Sequence, residues 1–286
     1  MDAFIGRLWS KRARARIRSR GGEDHEEGRL RWVREHAPGR SFVDVGGLFK
    51  LVGDIAFLAE ESGATAVTLF DVGDPRLICE GHPEWEWFDK KKADRGSQVR
   101  YVQGNLEDPA APQQIGVHDL VFFSGVLYHT PNPLLQLMHL REITGELAFI
   151  STLTIPEIPG FPQASIFYPY LDEGARKPYA NGYSWAADLL GIGAPIDERP
   201  MFGYGNCWWG ITPSALEAML RTARFEVVER RVLAVPFMTE LVVRPIAADP
   251  MLPPVAYFRE CGEARDRGEP RPTFEGWYDE QRASRR

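Results

Sequence analysis

Acidic residues and glycines stand where short apolar runs end, and their spacing suits the binding of an adenosine. Asp44, Gly46 and Gly47 close one apolar run, and Asp71 closes the next. Glycine lets a backbone approach a ligand closely, and an acid at the end of the second strand can accept hydrogen bonds from both ribose hydroxyls. We therefore predict that these residues form the nucleoside half of a cofactor site.

The phosphate-binding pattern G-x-G-x-x-G is missing from this turn, because Leu48, Phe49 and Lys50 follow the glycines. Its absence favours an adenosine ligand that carries no pyrophosphate. S-Adenosylmethionine meets that description, and we predict it as the cofactor. A divalent ion such as magnesium stays open, but no motif indicates one, and no metal site is predicted.

A second group of candidate residues follows the apolar run 119–124. Ser124 ends the run and is predicted to bind the cofactor, and Tyr128 and His129 come shortly after it, before a proline-rich turn. Because ligands of open α/β sheets bind beyond the carboxyl ends of strands, we predict His129 as a general base and Tyr128 beside it in the same pocket. The alternative is a histidine that caps the next helix or fixes the proline turn, with Tyr128 packed under the neighbouring insertion.

The elements that would position these residues alternate in type. Short runs rich in Val, Leu, Ile and Phe predict buried strands at 41–46, 66–71, 99–104, 119–124 and 146–152. Helices are predicted between them, most clearly over 51–61 and 134–142. Such a series predicts a parallel sheet that is covered by helices on both faces.

The C-terminal third continues with one more helix and then two strands. A helix over 214–223 is predicted to begin with Thr212 as its N-cap and Pro213 at its first position. Two apolar runs follow at 225–232 and 240–243, with only a short break between them. We expect them to form an antiparallel hairpin at the edge of the sheet.

The stretch 155–206 interrupts the alternation and is rich in proline, glycine and aromatic residues. A long irregular insertion after a strand is typical of a lid or binding loop, and its aromatic content argues against disorder. Trp208 and Trp209 follow it, and they either stack on an acceptor or form a small core beneath the insertion. The predicted domains are an arm and helix at 1–40, a main domain at 41–246 and a tail at 247–286.

Composition limits the function classes. The chain has 286 residues and a net charge of −6, which does not suit a protein that coats nucleic acid. The basic segment 1–20 is an exception, and it is either a solvated arm or one that touches phosphate or an acidic partner. The lysine run 90–92 is predicted to be solvated. The few, widely spaced cysteines fit a reducing cytoplasm, and no apolar run reaches membrane-spanning length.

Taken in this order, the segments resemble the class I S-adenosylmethionine-dependent methyltransferases over about residues 41–154 and 212–244. The most specific string is DLVFFSGVLYHTPNP at 119–133, which is similar to the post-strand-four motif of tRNA wobble-uridine carboxymethyltransferases and of many small-molecule methyltransferases. The resemblance implies a Rossmann-like, mostly parallel, seven-stranded sheet with helices on both faces and an antiparallel last strand.

The resemblance also assigns roles to single residues. It implies that Asp44 and Gly46 adjoin the methionine part of the cofactor and that Asp71 binds the ribose. Asn105 and Leu106, after the third strand, match the loop that flanks adenine. Lys50 departs from the family pattern, because a glycine is usual at its position, and this predicts a bulkier loop with Phe49 near the cofactor.

The leading hypothesis is O-methylation of a hydroxyl on a sugar or another small-molecule or natural-product acceptor. The aromatic-rich insertion and the acidic body motivate it. The alternative is a tRNA-modifying methyl or carboxymethyl transferase of the wobble-uridine type, although the body has no stripe of Lys and Arg for phosphates. A third reading, a binding module that has lost methyl transfer, is motivated by the altered glycine turn. We expect a small-molecule or oligosaccharide acceptor and no membrane, and a homodimer stays open.

Overall fold

The computed structural model describes most of the chain in separate stretches. The described residues are 27–49, 51–75, 87–155, 157–158, 160–168, 208–232, 238–246, 254–273, 276–277 and 280. The chain divides into two compact units, Met1–Pro245 and Ile246–Arg286. The basic segment 1–20 and positions 169–206 of the predicted lid lie outside the described residues.

The described residues of the larger unit form a seven-stranded sheet. Its strands are β1 (Ser41–Val45), β2 (Ala66–Asp71), β3 (Arg100–Gln103), β4 (His118–Ser124), β5 (Thr144–Leu153), β8 (Phe225–Val232) and β9 (Met238–Pro245). Their order is β3-β2-β1-β4-β5-β9-β8, and all pairings from β3 to β5 are parallel. Strand β9 runs antiparallel to both β5 and β8, which confirms the predicted Rossmann-like sheet and its edge hairpin.

Helices cover both faces of this sheet. They are α1 (27–36), α2 (Asp54–Glu61), α3 (Phe88–Arg95), α4 (Ala111–Ile115), α5 (Pro133–Ile143) and α6 (Pro213–Thr222). A further helix, α7 (Pro254–Asp266), belongs to the smaller unit. Buried residues of α1, α2 and α3 pack with Phe42 and Phe122 of the sheet, whereas those of α4, α5 and α6 pack with Val43 and Phe123. Because neighbouring residues of one strand point to opposite faces and helices cover both faces, the central strands are mostly apolar.

Two local predictions differ from the structure. The helix predicted over 51–61 begins only at Asp54, because Val52 and Gly53 have positive φ angles of 47° and 82° and form a turn. The lysine run was predicted to be solvated, which is wrong for Lys91: it is 8% exposed and bonds to the carbonyl oxygen of Leu51 and to Asp54. The run of like charges conceals the fact that Lys91 follows the buried Phe88 by one helical turn.

A small second sheet joins the two ends of the predicted insertion. Its strands are β6 (Ser165–Phe167) and β7 (Trp209–Ile211), which pair antiparallel. Thr212 comes directly after β7 and caps α6, since its Oγ1 accepts a hydrogen bond from the Ala215 N–H at 3.2 Å. The same hydroxyl donates to the carbonyl oxygen of Ala164 at 2.9 Å, so one side chain fixes both the helix start and the small sheet.

Thr212→Ala should lower the free energy of unfolding by about 1–2 kcal/mol, because the helix loses its cap and the Ala164 carbonyl loses a donor. Thr212→Ser should recover most of this loss. Denaturant unfolding followed by tryptophan fluorescence would measure it. Thr222→Ala is the matched control, since the Thr222 hydroxyl only bonds to a carbonyl one turn earlier in the same helix. Equal losses in the two alanine variants would contradict a special role for Thr212.

Candidate functional site

The loops after β1 and β4 meet at the topological switch point of the sheet. The chain continues from β1 to β2 on one side, and β4 lies on the other side of β1. Open α/β sheets bind ligands in the crevice at this point. A β-carbon on Gly46 would lie 2.2 Å from Cγ2 of Val126, and Gly46 has a φ of 84°, so the close approach of the two loops requires glycine here.

Asp44 is buried at the end of β1 with an unused acceptor. It is 2% exposed, and its Oδ2 has no hydrogen-bond partner within the part of the chain that the structure describes. Oδ2 lies against Gly47, where a β-carbon would come within 2.0 Å of it. Burial, followed by repulsion from Asp71, raises the pKa of Asp44 to about 8, although Arg29 on α1 opposes the shift. A cationic ligand group would favour ionisation of this carboxyl group and pair with it.

Asp71 ends β2, as predicted, and it holds the glycine turn. Its Oδ2 accepts a hydrogen bond from the Leu48 N–H at 2.9 Å, and its Oδ1 accepts one from the Gly73 N–H at 2.8 Å. Burial raises the pKa of Asp71, and these backbone hydrogen bonds oppose that shift. Each carboxylate oxygen has a second lone pair, so Asp71 can still accept hydrogen bonds from a ligand.

The loop after β3 has a fixed shape. Leu106 is buried, and its carbonyl oxygen lies 2.6 Å from Nδ1 of His139 on α5. Asn105 is exposed, and its Oδ1 accepts a hydrogen bond from the Glu107 N–H at 3.0 Å. Both predicted adenine-loop residues therefore follow β3, the strand that pairs with β2. Asn105 already uses its side-chain carbonyl oxygen within the loop.

Glu107 joins this loop to the segment after β4. Its carboxylate accepts a hydrogen bond from the Thr130 hydroxyl and another from Nδ2 of Asn132, the latter at 2.6 Å. Thr130 is buried, and its Oγ1 also accepts the Asn132 N–H at 2.9 Å. One glutamate thus fixes the candidate adenine loop relative to the segment that contains Tyr128 and His129.

Tyr128 and His129 lie in a 3₁₀ turn at the carboxyl end of β4, where they were predicted to lie. Tyr128 is half-buried and His129 is exposed. Their ring centroids are 4.0 Å apart and the rings are tilted by 50°. Two backbone hydrogen bonds hold the turn in place. The His129 N–H donates to the Val126 carbonyl oxygen at 2.9 Å, and the Trp208 N–H donates to the Tyr128 carbonyl oxygen at 3.0 Å.

Ser124 belongs to a polar row that sequence reasoning missed. It is the register partner of Ser151 on β5, which is in turn the partner of Glu240 on β9. Glu240 is 3% exposed, and Nη1 of Arg231 on β8 lies 3.7 Å from it. The Ser151 hydroxyl is buried and has no partner among the described residues. Only strand register brings these residues together, although polar positions within the apolar runs were a visible signal.

Metal clusters and membrane spans are both missing from the described residues. No group of three or more His, Cys, Asp or Glu side chains in these stretches could hold a metal ion. No described helix is long and apolar enough to cross a membrane.

The sequence matches no protein-family model and no curated protein. Its structure is similar to the N-terminal domain of EvdMO1 with SAH bound, at 16% identity and a TM-score of 0.49, over 78% of this chain and 81% of that one. It is also similar to magnesium protoporphyrin IX methyltransferase from Synechocystis PCC 6803 with bound SAH, at 13% identity and a TM-score of 0.49, over 81% and 86%. A third similar structure is the cyclase SpnF, at 12% identity and a TM-score of 0.48, over 77% and 80%. Similarity at this level does not identify an activity, so function has to be inferred from the residues of the site.

Asp44 should make the stability of the free protein depend on pH. Its ordinary pKa is 3.8, and its pKa in the folded protein is about 8. Between these values the folded state keeps a proton that the unfolded state releases, so the free energy of unfolding should fall as the pH rises, by at most about 1.4 kcal/mol per pH unit. Asp44→Asn should abolish this fall and be more stable than the wild type at pH 8–9. Denaturant unfolding across pH 5–9 would measure the effect.

Asp119→Asn is the matched control for this experiment. Asp119 lies near the amino end of β4, and hydrogen bonds from the Ser41 N–H and hydroxyl, each 2.8 Å long, hold its pKa below the ordinary value. It is therefore ionised in both states above pH 5, and its loss should shift the stability curve without changing its slope. If the free energy of unfolding of Asp44→Asn changed with pH in parallel with that of the wild type, the raised pKa of Asp44 would be contradicted.

Proposed function

We propose that the chain is an S-adenosylmethionine-dependent methyltransferase of class I that methylates a hydroxyl group of a small-molecule acceptor. The observation that supports this most directly is the grouping of Asp44, the two glycines and Asp71 at the switch point of the sheet. The glycines let the turn pack closely against Val126 and Asp44, and the two acids provide acceptors at the switch point.

The residues present suit this cofactor. Asp71 has lone pairs left for ribose hydroxyls, and the adjacent Val72 is 66% exposed, which provides an apolar surface for a planar base. The unused Oδ2 of Asp44 suits a cationic group at the other end of the ligand. When bound, S-adenosylmethionine supplies an electrophilic methyl group on a positively charged sulfur.

The task of the chain is then to align an acceptor, exclude water and receive a proton. Alignment alone can supply several kcal/mol of the barrier, on the order of 7 or more in well-oriented systems. A neutral hydroxyl also needs a base at the moment of attack, and His129 at the carboxyl end of β4 fits that role. Tyr128, tilted against it, orients the imidazole or lines the acceptor pocket. The Glu107 bridge keeps both residues in a fixed position relative to the cofactor loops.

Asp71→Ala should weaken the binding of S-adenosylhomocysteine by about 10- to 100-fold, because hydrogen bonds to a charged acceptor contribute about 1.5–3 kcal/mol. Isothermal titration calorimetry on the folded variant would measure this. Asp119→Ala is the matched control, since that aspartate also accepts two hydrogen bonds but lies at the amino end of its strand, away from the candidate site. Affinity in Asp71→Ala equal to that of the wild type would remove Asp71 from the site.

His129→Ala should lower kcat by about 10²–10⁴-fold while the affinity for S-adenosylhomocysteine stays nearly unchanged. The wild-type rate should rise with pH as the imidazole loses its proton, and the variant should lack that rise. S-Adenosylhomocysteine release with an accepted hydroxyl compound would provide both measurements. Tyr128→Phe tests the neighbouring hydroxyl separately. A folded His129→Ala protein that turns over the hydroxyl compound at the wild-type rate would exclude His129 as the base and assign that role to another group.

A further inference from the structure

Aromatic side chains line the carboxyl ends of β4 and β5. Phe167 on β6 lies 4.8 Å from Trp209 and 6.1 Å from Trp208, measured between ring centroids. Tyr128 and His129 lie in the turn after β4, as described above. These residues, Tyr128, His129, Phe167, Trp208 and Trp209, are called the aromatic wall.

Hydrogen bonds fix the small sheet directly to the turn that contains the candidate base. The Trp208 N–H donates to the Tyr128 carbonyl at 3.0 Å, and Nε1 of Trp209 donates to the Pro131 carbonyl at 3.0 Å. The Ile155 N–H, just after β5, donates to Ile211 on β7 at 2.9 Å. The tryptophans are therefore attached to the same backbone as His129.

Part of the wall is open to solvent. Phe167 is 40% exposed, and both tryptophans and Tyr128 are only partly buried. Trp209 packs partly against the core, and the exposed faces of these rings form an apolar surface that a ligand can reach. Because the rings of Phe167 and Trp209 are tilted by 54°, a planar molecule that stacks on one of them meets the other at an angle, which is a favourable aromatic geometry.

The described backbone around the wall is poor in charge. The stretches 125–132, 157–158, 160–168 and 208–212 contain no Lys or Arg, and Glu157 is their one acidic residue. Glu157 is already engaged, because it accepts hydrogen bonds from the N–H and hydroxyl of Ser214 at 2.8 and 2.7 Å. A phosphate-bearing acceptor would need cationic partners, and a sugar would need several polar partners for its hydroxyls. The described wall offers few of either.

We infer that the aromatic wall binds the acceptor and that the acceptor is an uncharged, planar aromatic alcohol, that is, a phenol. Its ring stacks on Phe167 and meets Trp209 at an angle, and its hydroxyl points to His129. This inference rests on the proposed function for the direction from which the methyl group comes. On the described residues, the inference favours such a phenol over a nucleic acid or a sugar.

Binding of simple probes tests the inference without turnover. We would titrate 2-naphthol, decahydro-2-naphthol, methyl glucopyranoside and a short single-stranded RNA into the full chain by calorimetry, with and without saturating S-adenosylhomocysteine. We expect 2-naphthol to bind at least about tenfold more tightly than its saturated analogue, because only the planar ring can stack. Phe167→Ala and Phe167→Leu should each weaken 2-naphthol about 3- to 10-fold.

Phe161→Ala is the matched control. Phe161 is 68% exposed and also lies in the insertion, but it belongs to an isolated bridge with Ile158. This variant should bind 2-naphthol like the wild type. The leucine variant keeps apolar volume at position 167, so it tests for the ring even where the alanine variant is unstable.

The outcomes separate this inference from the proposed function. Equal affinity for 2-naphthol in the wild type and a folded Phe167 variant would overturn the inference, as would tighter binding of the sugar or the RNA. S-Adenosylhomocysteine binding without 2-naphthol binding would contradict the inference alone. Phe167-dependent binding of 2-naphthol without any binding of S-adenosylhomocysteine would contradict the proposed function and leave the phenol site standing.

Discussion

The burial of Asp44 and Asp71 at the carboxyl ends of β1 and β2 is the constraint on which the site depends. Burial in an apolar surrounding disfavours the charged form of both carboxyl groups, and neither could remain charged there without local compensation. Backbone N–H groups of the glycine turn and of the turn after β2 stabilise Asp71, and protonation stabilises Asp44 in the free protein. The turn can offer its N–H group because Gly46 and Gly47 let the backbone pass close to Val126 and to the Asp44 carboxyl group. A cationic group close to Asp44 would favour the ionised form of this carboxyl group.

The other elements of the candidate site lie on two sides of these aspartates. On one side, β2 and the loop after β3 carry the residues that are proposed to bind the nucleoside. On the other side, the turn after β4 and the small sheet of β6 and β7 provide the aromatic wall. Glu107 connects the two sides, since it lies in the loop after β3 and bonds to Thr130 and Asn132 beyond β4. A reaction between two ligands needs such a connection, because an error of about 1 Å in their relative position can lower the rate a hundredfold.

The sequence predicts features that local chemistry determines. The alternation of apolar runs is enough to place β1, β2 and β4 within a residue of their observed bounds, and the Thr212–Pro213 pair marks the start of α6 correctly. Features that depend on tertiary contacts are not visible in this way. Lys91 becomes buried because α3 turns it towards the Leu51 carbonyl, and no pattern in the lysine run shows that. The row of Ser124, Ser151 and Glu240 exists only through strand register, and the bridge from Glu107 joins loops that are far apart in the sequence.

The altered glycine turn bears on whether the chain has kept a working site. A larger residue after Gly47 could have filled the space of a cofactor, as expected of a binding module that has lost methyl transfer. Leu48 does not do so, because its side chain is fully buried in the core on the face that α1 and α2 cover. Its N–H group meanwhile provides a hydrogen bond to Asp71. Lys50, the position at which the resemblance predicts a departure, lies outside the described residues. The described part of the turn packs into the core and leaves Asp71 in place, which argues against a turn that is no longer used.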